Sequence, residues 1–166
     1  MGSDDSKTPA ELAALLRFIA AAKYPVNLAS IEKLSGERKP DFSCRTFDGE
    51  LFAFEVTALC AEELARMINQ AFAGKEPDAV FTGNPTLGIL RKKMRKNYDT
   101  DLPVELLCYW DGRTFSTDDE IFPMIEQVVN GDRNPFRRVW YLGEIGRSYL
   151  MYDDWLRWIE PENPAR

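Results

Sequence analysis

The pattern of apolar and polar residues along the chain predicts alternating helices and strands. Apolar residues at three- and four-residue spacing indicate a helix up to about residue 23, and further helices over 61–73 and about 86–98. A fourth helix is predicted from Ser116 or Thr117 to about Val129. Runs of aromatic and β-branched residues indicate strands at 42–47, 51–59, 104–110, 138–142 and 148–152. This alternation favours an α/β sandwich with a mixed central sheet.

Local signals define the predicted N-terminal helix. Thr8 is the expected N-cap, Pro9 occupies the first helical position and Glu11 closes a capping box. Residues 28–34 are interpreted as a second short helix or an extension packed beside the first one. The apolar stripe predicted to face the core consists of Leu12, Leu15, Leu16 and Ile19.

A β-hairpin within residues 39–60 organises the predicted site. Asp48-Gly49 separates two apolar runs, and this dipeptide indicates a tight turn because glycine readily adopts a positive φ. Side-chain alternation along the return strand places Glu55 and Thr57 on the face opposite the aromatic residues. Asp41 precedes the first strand, so the hairpin is expected to bring its carboxylate near Glu55. A buried glutamate needs a proton, a cation or a metal as partner, and two converging carboxylates predict a Mg²⁺ site.

The same residues resemble a known family. Pro40-Asp41, followed by a hairpin and Glu55-Val56-Thr57, is similar to the motif of the PD-(D/E)xK superfamily, the restriction-endonuclease-like nucleases. The resemblance implies an αβββαβ core flanked by helices, metal binding (Mg²⁺ or Mn²⁺) by Asp41 and Glu55, and hydrolysis of DNA phosphodiester bonds. Thr57 stands where the family carries a lysine, and some branches of the superfamily supply that lysine from a following helix.

The predicted helix over 86–98 is rich in basic residues and offers such a lysine. Lys93 lies on its flank and is assigned the catalytic role of assisting the attacking water. Lys92 and Lys96 are expected to point into solvent, and together with Arg91 they are candidate contacts to nucleic-acid phosphates. The alternative is a charged face that serves only solubility. The buried stripe predicted for this helix consists of Leu87, Leu90, Met94 and Tyr98.

Structural roles are the alternative for both acids. Asp41 then caps a turn, and Glu55 forms an ion pair with Arg38 or Arg45. Candidates for a third acid at the site, each with a surface role as the alternative, are Glu32 and Glu37.

Composition narrows the chemistry. The chain of 166 residues contains no histidine, which excludes a histidine base and histidine-based zinc sites. Cys44, Cys60 and Cys108 lack zinc-ligand spacing and are expected to be buried thiols in a cytoplasmic protein. No apolar run reaches the ~20 residues that span a bilayer, so no membrane segment is predicted. Residues 1–8 and 161–166 are expected to be loose tails around a single domain, 9–160.

Two functions compete at this stage. One is a Mg²⁺-dependent endonuclease acting on DNA. The other is a catalytically inactive, acidic interaction protein on the same fold, such as an immunity or inhibitor protein that binds a basic partner. The net charge of −6 favours the second, because nucleic-acid binders usually present a basic face. A homodimer is a further expectation about partners.

Overall fold

The computed structural model describes residues 7–60, 69–75, 84–113 and 116–158. Its helices are α1 (Lys7–Ala22), α2 (Thr86–Arg95) and α3 (Asp118–Val129), with 3-10 turns at Leu28–Ser30 and Asp154–Trp158. Its strands are β1 (Glu32–Lys33), β2 (Phe42–Arg45), β3 (Leu51–Ala58), β4 (Val104–Tyr109), β5 (Arg138–Leu142) and β6 (Ser148–Asp153). Within the described ranges, no helix has the length and apolar character needed to cross a membrane.

The six strands form one mixed sheet in sequence order, β1 to β6. The pairs β1–β2, β2–β3 and β5–β6 are antiparallel, whereas β3–β4 and β4–β5 are parallel. The central strand β4 is buried along its whole length, as its continuous apolar run predicts. The predicted α/β fold with a mixed sheet is therefore confirmed.

Alternation along the strands separates two cores, one on each face of the sheet. On one face, Phe52, Phe54 and Val56 of β3 pack in a cluster with α1. On the other face, Ala53 and Leu59 belong to a cluster with apolar residues of α2 and α3. Glu55 lies between Ala53 and Leu59 in this alternation, so its side chain belongs to the α2 face of the sheet.

The predicted hairpin is present as β2 and β3. Phe42 pairs with Phe54 and Arg45 with Leu51, and Gly49 in the connection has a φ of +98°. That left-handed conformation is the reason for glycine at this position. The predicted strands β4, β5 and β6 are also confirmed, as is the N-terminus of α3, where Thr117 and Glu120 form a reciprocal capping box.

The prediction for the first helix is partly wrong. α1 already includes Lys7, so Thr8 lies within its first turn and is not the N-cap. Leu16 of the predicted stripe is 40% exposed, and Phe18 is fully buried instead. The larger aromatic surface decides the orientation of the helix, because the Phe18 ring packs against three other aromatic rings. The buried residues of α1 are Ala14, Leu15, Phe18 and Ile19.

The short helix predicted over 28–34 is also wrong beyond its first turn. Asn27 caps a 3-10 turn, with its side-chain oxygen accepting from the Ala29 N–H at 3.1 Å. The chain then becomes extended in β1, and the Leu34 N–H donates to the Asp41 carbonyl at 2.9 Å. Pairing with β2 therefore replaces a second helical turn.

Some predicted segments lie partly or wholly outside the residues that the structure describes. Of the predicted helix over 61–73, residues 69–72 are helical, and 61–68 lie outside the described residues. Residues 76–83 and the terminal segments 1–6 and 159–166 also lie outside them. The three cysteines form no disulfide bond; Cys44 and Cys108 are buried as predicted, whereas Cys60 is half-buried.

Candidate functional site

Asp41 is positioned directly beside Glu55 by the backbone of the hairpin. The Asp41 N–H donates to the Phe54 carbonyl at 2.9 Å, and the Val56 N–H donates to Asp41 Oδ2 at 2.8 Å. The two contacts involve Phe54 and Val56, which are the residues before and after Glu55 in β3. Asp41 is thus held beside β3 next to Glu55 in the strand, and the convergence of the two carboxylates on one metal stays a prediction.

Glu55 is only 1% exposed and is paired with two lysines. Lys93 Nζ lies 2.5 Å and Lys96 Nζ 3.2 Å from Glu55 Oε1. Neither Arg38 nor Arg45 is its ion-pair partner, so the alternative pairing considered from the sequence is wrong in its partners. Because the Glu55 carboxylate is removed from water, its charge must be compensated by nearby partners, and these two ammonium groups do so.

The prediction that Lys96 points into solvent is wrong. α2 ends at Arg95, and Lys96 has an extended backbone with φ −68° and ψ 135°. Helical periodicity therefore does not apply to Lys96. Its Nζ lies over the Tyr98 ring, 4.8 Å from the ring centre. Arg91 and Lys92 are exposed as expected, and Lys93 lies on the flank of the helix.

Glu11 and Lys33 also belong to this cluster, and the sequence pattern assigned neither to it. Lys33 Nζ lies 3.4 Å from Asp41 Oδ1 and 3.6 Å from Glu11 Oε2. Burial raises the pKa of Glu11, and the charge of Asp41 raises it further, whereas Lys33 and Lys93 oppose the shift. Glu11 was interpreted as part of a capping box, and only tertiary packing brings it here.

The other candidate residues lie elsewhere or have different surroundings. Glu32 and Glu37 are exposed. Glu11 is therefore the third acid of the cluster, in place of either of them. Thr57 is nearly buried on β3, where it pairs in register with Cys108 of β4.

Two buried oxygens at the site, Glu55 Oε2 and the Tyr98 hydroxyl, form no hydrogen bond of normal geometry with the residues that the structure describes, although the Tyr98 hydroxyl interacts with the Glu55 carboxylate. Burial raises the pKa of Tyr98, and the negative charges of Glu55 and Asp41 raise it further. The Tyr98 hydroxyl therefore lies within the electrostatic range of both carboxylates.

A second buried glutamate provides a contrast. Glu105 of β4 is fully buried on the α1 face and accepts hydrogen bonds through both oxygens. Its donors are Tyr24 OH (2.8 Å), Arg137 Nη2 (2.7 Å), Arg138 Nη1 (3.3 Å) and Trp140 Nε1 (2.7 Å). A structural carboxylate in this fold is thus fully satisfied, whereas Glu55 keeps one oxygen open. The open oxygen points to a role beyond packing.

The donor chemistry of the cluster fits a hard divalent cation. Carboxylate oxygens are the ligands Mg²⁺ prefers, and Glu55 Oε2 is a buried acceptor with no partner in the described part of the chain. Asp41 and Glu55 are the two acids brought together. Within the described ranges, no group of three or more acids, cysteines or histidines has a ready-made ligand arrangement. The fit therefore rests on two carboxylates, with water completing the coordination as Mg²⁺ commonly requires.

The charges of the cluster balance without a metal. Three carboxylates face three ammonium groups: Glu11, Asp41 and Glu55 with Lys33, Lys93 and Lys96. A cation therefore has to compete with lysine at Glu55.

Comparison of the chain with protein-family models, curated proteins and solved structures gave no match.

Proposed function

We propose that the chain is a metal-dependent nuclease of the PD-(D/E)xK type that hydrolyses DNA phosphodiester bonds. The observation that carries the proposal is the buried Glu55, which has one oxygen on Lys93, the other open, and Asp41 beside it. The element order supports the proposal, because α1, three strands, α2 and β4 follow the αβββαβ order expected from the resemblance, with the helical residues 69–72 as an addition before α2.

Each residue of the cluster has a role in this proposal. Asp41 and Glu55 would hold the Mg²⁺ or Mn²⁺ ion, which would lower the pKa of a bound water and stabilise charge on the phosphate. Lys93 supplies the ammonium that the family motif places two residues after the glutamate, where this chain has Thr57. Its amine orients the attacking water and offsets the negative charge of the phosphate.

Glu11 and Lys96 adjust the charge around these residues. Lys96 shares Glu55 Oε1 with Lys93, which leaves Oε2 for a cation. Glu11 places a third negative charge near Asp41 and so favours a cation at the site. Release of one lysine from Glu55 would make room for substrate phosphate on its ammonium group.

The test combines metal binding with cleavage. Wild-type protein, Glu55→Gln and a control, Glu126→Gln, are titrated with Mn²⁺ by calorimetry and incubated with plasmid DNA and Mg²⁺ or Mn²⁺. Glu126 is an exposed acid on α3, so its substitution makes the same chemical change away from the site. We expect Glu55→Gln to lower the cleavage rate more than about 100-fold and Glu126→Gln to have no effect. Cleavage or metal binding that is unchanged in Glu55→Gln would refute the proposal.

A second candidate is an acidic, non-catalytic protein that binds a basic protein partner. The net charge of −6 and Thr57 in place of the motif lysine favour it. Binding to such a partner would weaken with added salt and would be unchanged in Asp41→Ala. Metal-dependent cleavage that is lost in Asp41→Ala would reject this candidate.

A further inference from the structure

A polar groove of about 520 Å³ adjoins the cluster around Glu55. Lys96 and Tyr98 belong to both, so the groove begins at the proposed site and continues toward the start of β4 and β5. Its volume lies in the range of ligand-binding clefts. The residues that line the groove include Lys96, Asn97, Tyr98, Arg133, Phe136 and Arg137.

The charges lining this groove are mainly positive in a protein whose net charge is −6. Among the described lining residues, Lys96, Arg133 and Arg137 are cations and Asp154 is the one acid. Local clustering of this kind attracts anions even where the net charge repels them.

Arg133 is the cation with the greatest freedom to bind a ligand. Its guanidinium contacts the Asn97 side-chain oxygen, an uncharged partner, and it forms no ion pair with the described residues. Arg137, by contrast, is already paired with Glu105 and Glu50 and lies over the Phe52 ring. An exposed arginine without an acidic partner offers two parallel N–H donors to a phosphate.

The aromatic rings in the described lining of the groove are covered. Phe136 is 2% exposed and its ring packs on Tyr98 at 5.5 Å. Lys96 covers the Tyr98 ring with its ammonium group. Among the described residues that line the groove, no aromatic face is open for a base to stack on, so recognition falls to the sugar-phosphate backbone.

We propose that this groove binds the phosphodiester backbone of the substrate strand beside the scissile bond, with Arg133 as its phosphate contact and Lys96 at the end of the groove nearest Glu55. The proposal rests on the proposed function in one respect, namely that the scissile phosphate lies at Glu55. Because the contacts are to phosphate, the groove binds DNA and RNA strands without regard to base sequence.

The test is binding without cleavage. Fluorescein-labelled single-stranded DNA and RNA of one sequence are titrated in EDTA, by anisotropy, with wild-type protein, Arg133→Gln and Arg147→Gln. Arg147 is an exposed arginine in the β5–β6 connection and matches the charge change. We expect Arg133→Gln to weaken binding of both strands about tenfold and to lower the salt slope by about 1. Arg147→Gln should change affinity less than about twofold, and Arg133→Lys should retain part of the binding.

The outcomes separate this inference from the proposed function. Equal affinities for Arg133→Gln and Arg147→Gln, or no strand binding by the wild type, would overturn the groove even if cleavage depends on Glu55. Arg133-dependent binding in a protein that cleaves nothing would support the groove and count against the nuclease. Arg133-dependent binding of DNA alone would overturn the backbone contact, since RNA carries the same phosphates.

Discussion

At the residue scale, two glutamates on neighbouring strands show how surroundings decide the role of a side chain. Glu55 and Glu105 are both buried, and each faces a different side of the sheet. Glu105 is held by a complete set of donors, which makes it a structural anchor between β4, β5 and the end of α1. Glu55 retains an open oxygen. Removal of Glu105 should therefore affect stability, and removal of Glu55, which also leaves Lys93 and Lys96 without their partner, should in addition affect metal binding if the proposed function holds.

Glu105→Ala is expected to lower the free energy of unfolding by about 3–5 kcal/mol, because it leaves Arg137 and Arg138 without their buried counter-charge. The matched control is Glu50→Gln, which removes a half-exposed partner of the same Arg137 and should cost less than about 1 kcal/mol. Urea unfolding at pH 7 measures both. Similar costs for the two variants would contradict the assignment of Glu105 as the anchor.

The cysteines permit a test of burial by pH. Burial raises the pKa of Cys44 and of Cys108 from the ordinary value of 9.0 to about 12. Both thiols should therefore resist a thiol-specific reagent at pH 8 in the folded protein, and half-buried Cys60 should react. Because the folded state keeps these protons up to a higher pH than the unfolded state, stability should fall as pH rises from about 9 to 12. Mass spectrometry of the labelled protein gives the result, and native labelling of Cys108 would contradict it.

At the element scale, the sequence predicted those elements whose signals are local. The hairpin turn at Asp48-Gly49, the buried strand β4 and the capping box of α3 all depend on neighbouring residues, and all three are present. β1 depends on pairing with β2, and no local pattern in two residues can indicate it.

The candidate site was predictable to the same extent. Asp41 and Glu55 lie on one hairpin, and Lys93 follows from helical periodicity within α2. Glu11 and Lys33 reach the site through packing of α1 and β1, which no spacing in the sequence encodes. Lys96 was misplaced because α2 ends one residue before it.

Gly143 tests how closely the β5–β6 turn packs against the start of α3. A Cβ at Gly143 would lie 2.9 Å from Asp118 Cγ, and Asp118 is fixed there by the Tyr141 hydroxyl at 2.8 Å and the Glu144 N–H. Gly143→Ala should therefore lower stability by about 1–3 kcal/mol by forcing the start of α3 away from the β5–β6 turn.

Gly88 is the control for this substitution. It is exposed within α2, and an added Cβ would meet no atom within 4 Å. Gly88→Ala should raise stability by about 0.5–1 kcal/mol, because alanine loses less conformational entropy in a helix. Thermal unfolding of both variants measures the difference. A stabilising Gly143→Ala would show that α3 does not pack against this turn as described.

At the scale of the whole molecule, the sheet is shared by two cores. Alternate residues of β3 and β4 belong to opposite clusters. Unfolding of these strands on one face would therefore also expose the core on the other face. The site lies where β2, β3, α1 and α2 approach one another. Its geometry therefore depends on both cores being intact, and loss of either one should disrupt the cluster around Glu55 together with the fold.

We expect the two cores to unfold in one transition. Phe18→Ala in the α1 core should lower stability by about 3–5 kcal/mol, and Ile125→Ala in the α3 core by about 2–5 kcal/mol, since both residues are fully buried. Leu16→Ala, at a position on α1 that is 40% exposed, is the control and should cost less than about 1 kcal/mol. Urea unfolding is followed by far-UV circular dichroism and by tryptophan fluorescence, which should give coincident curves for every variant. Curves that separate in Phe18→Ala but not in Ile125→Ala would show that the α1 face unfolds alone, and the site would then be assembled on a sheet that the α3 core stabilises by itself.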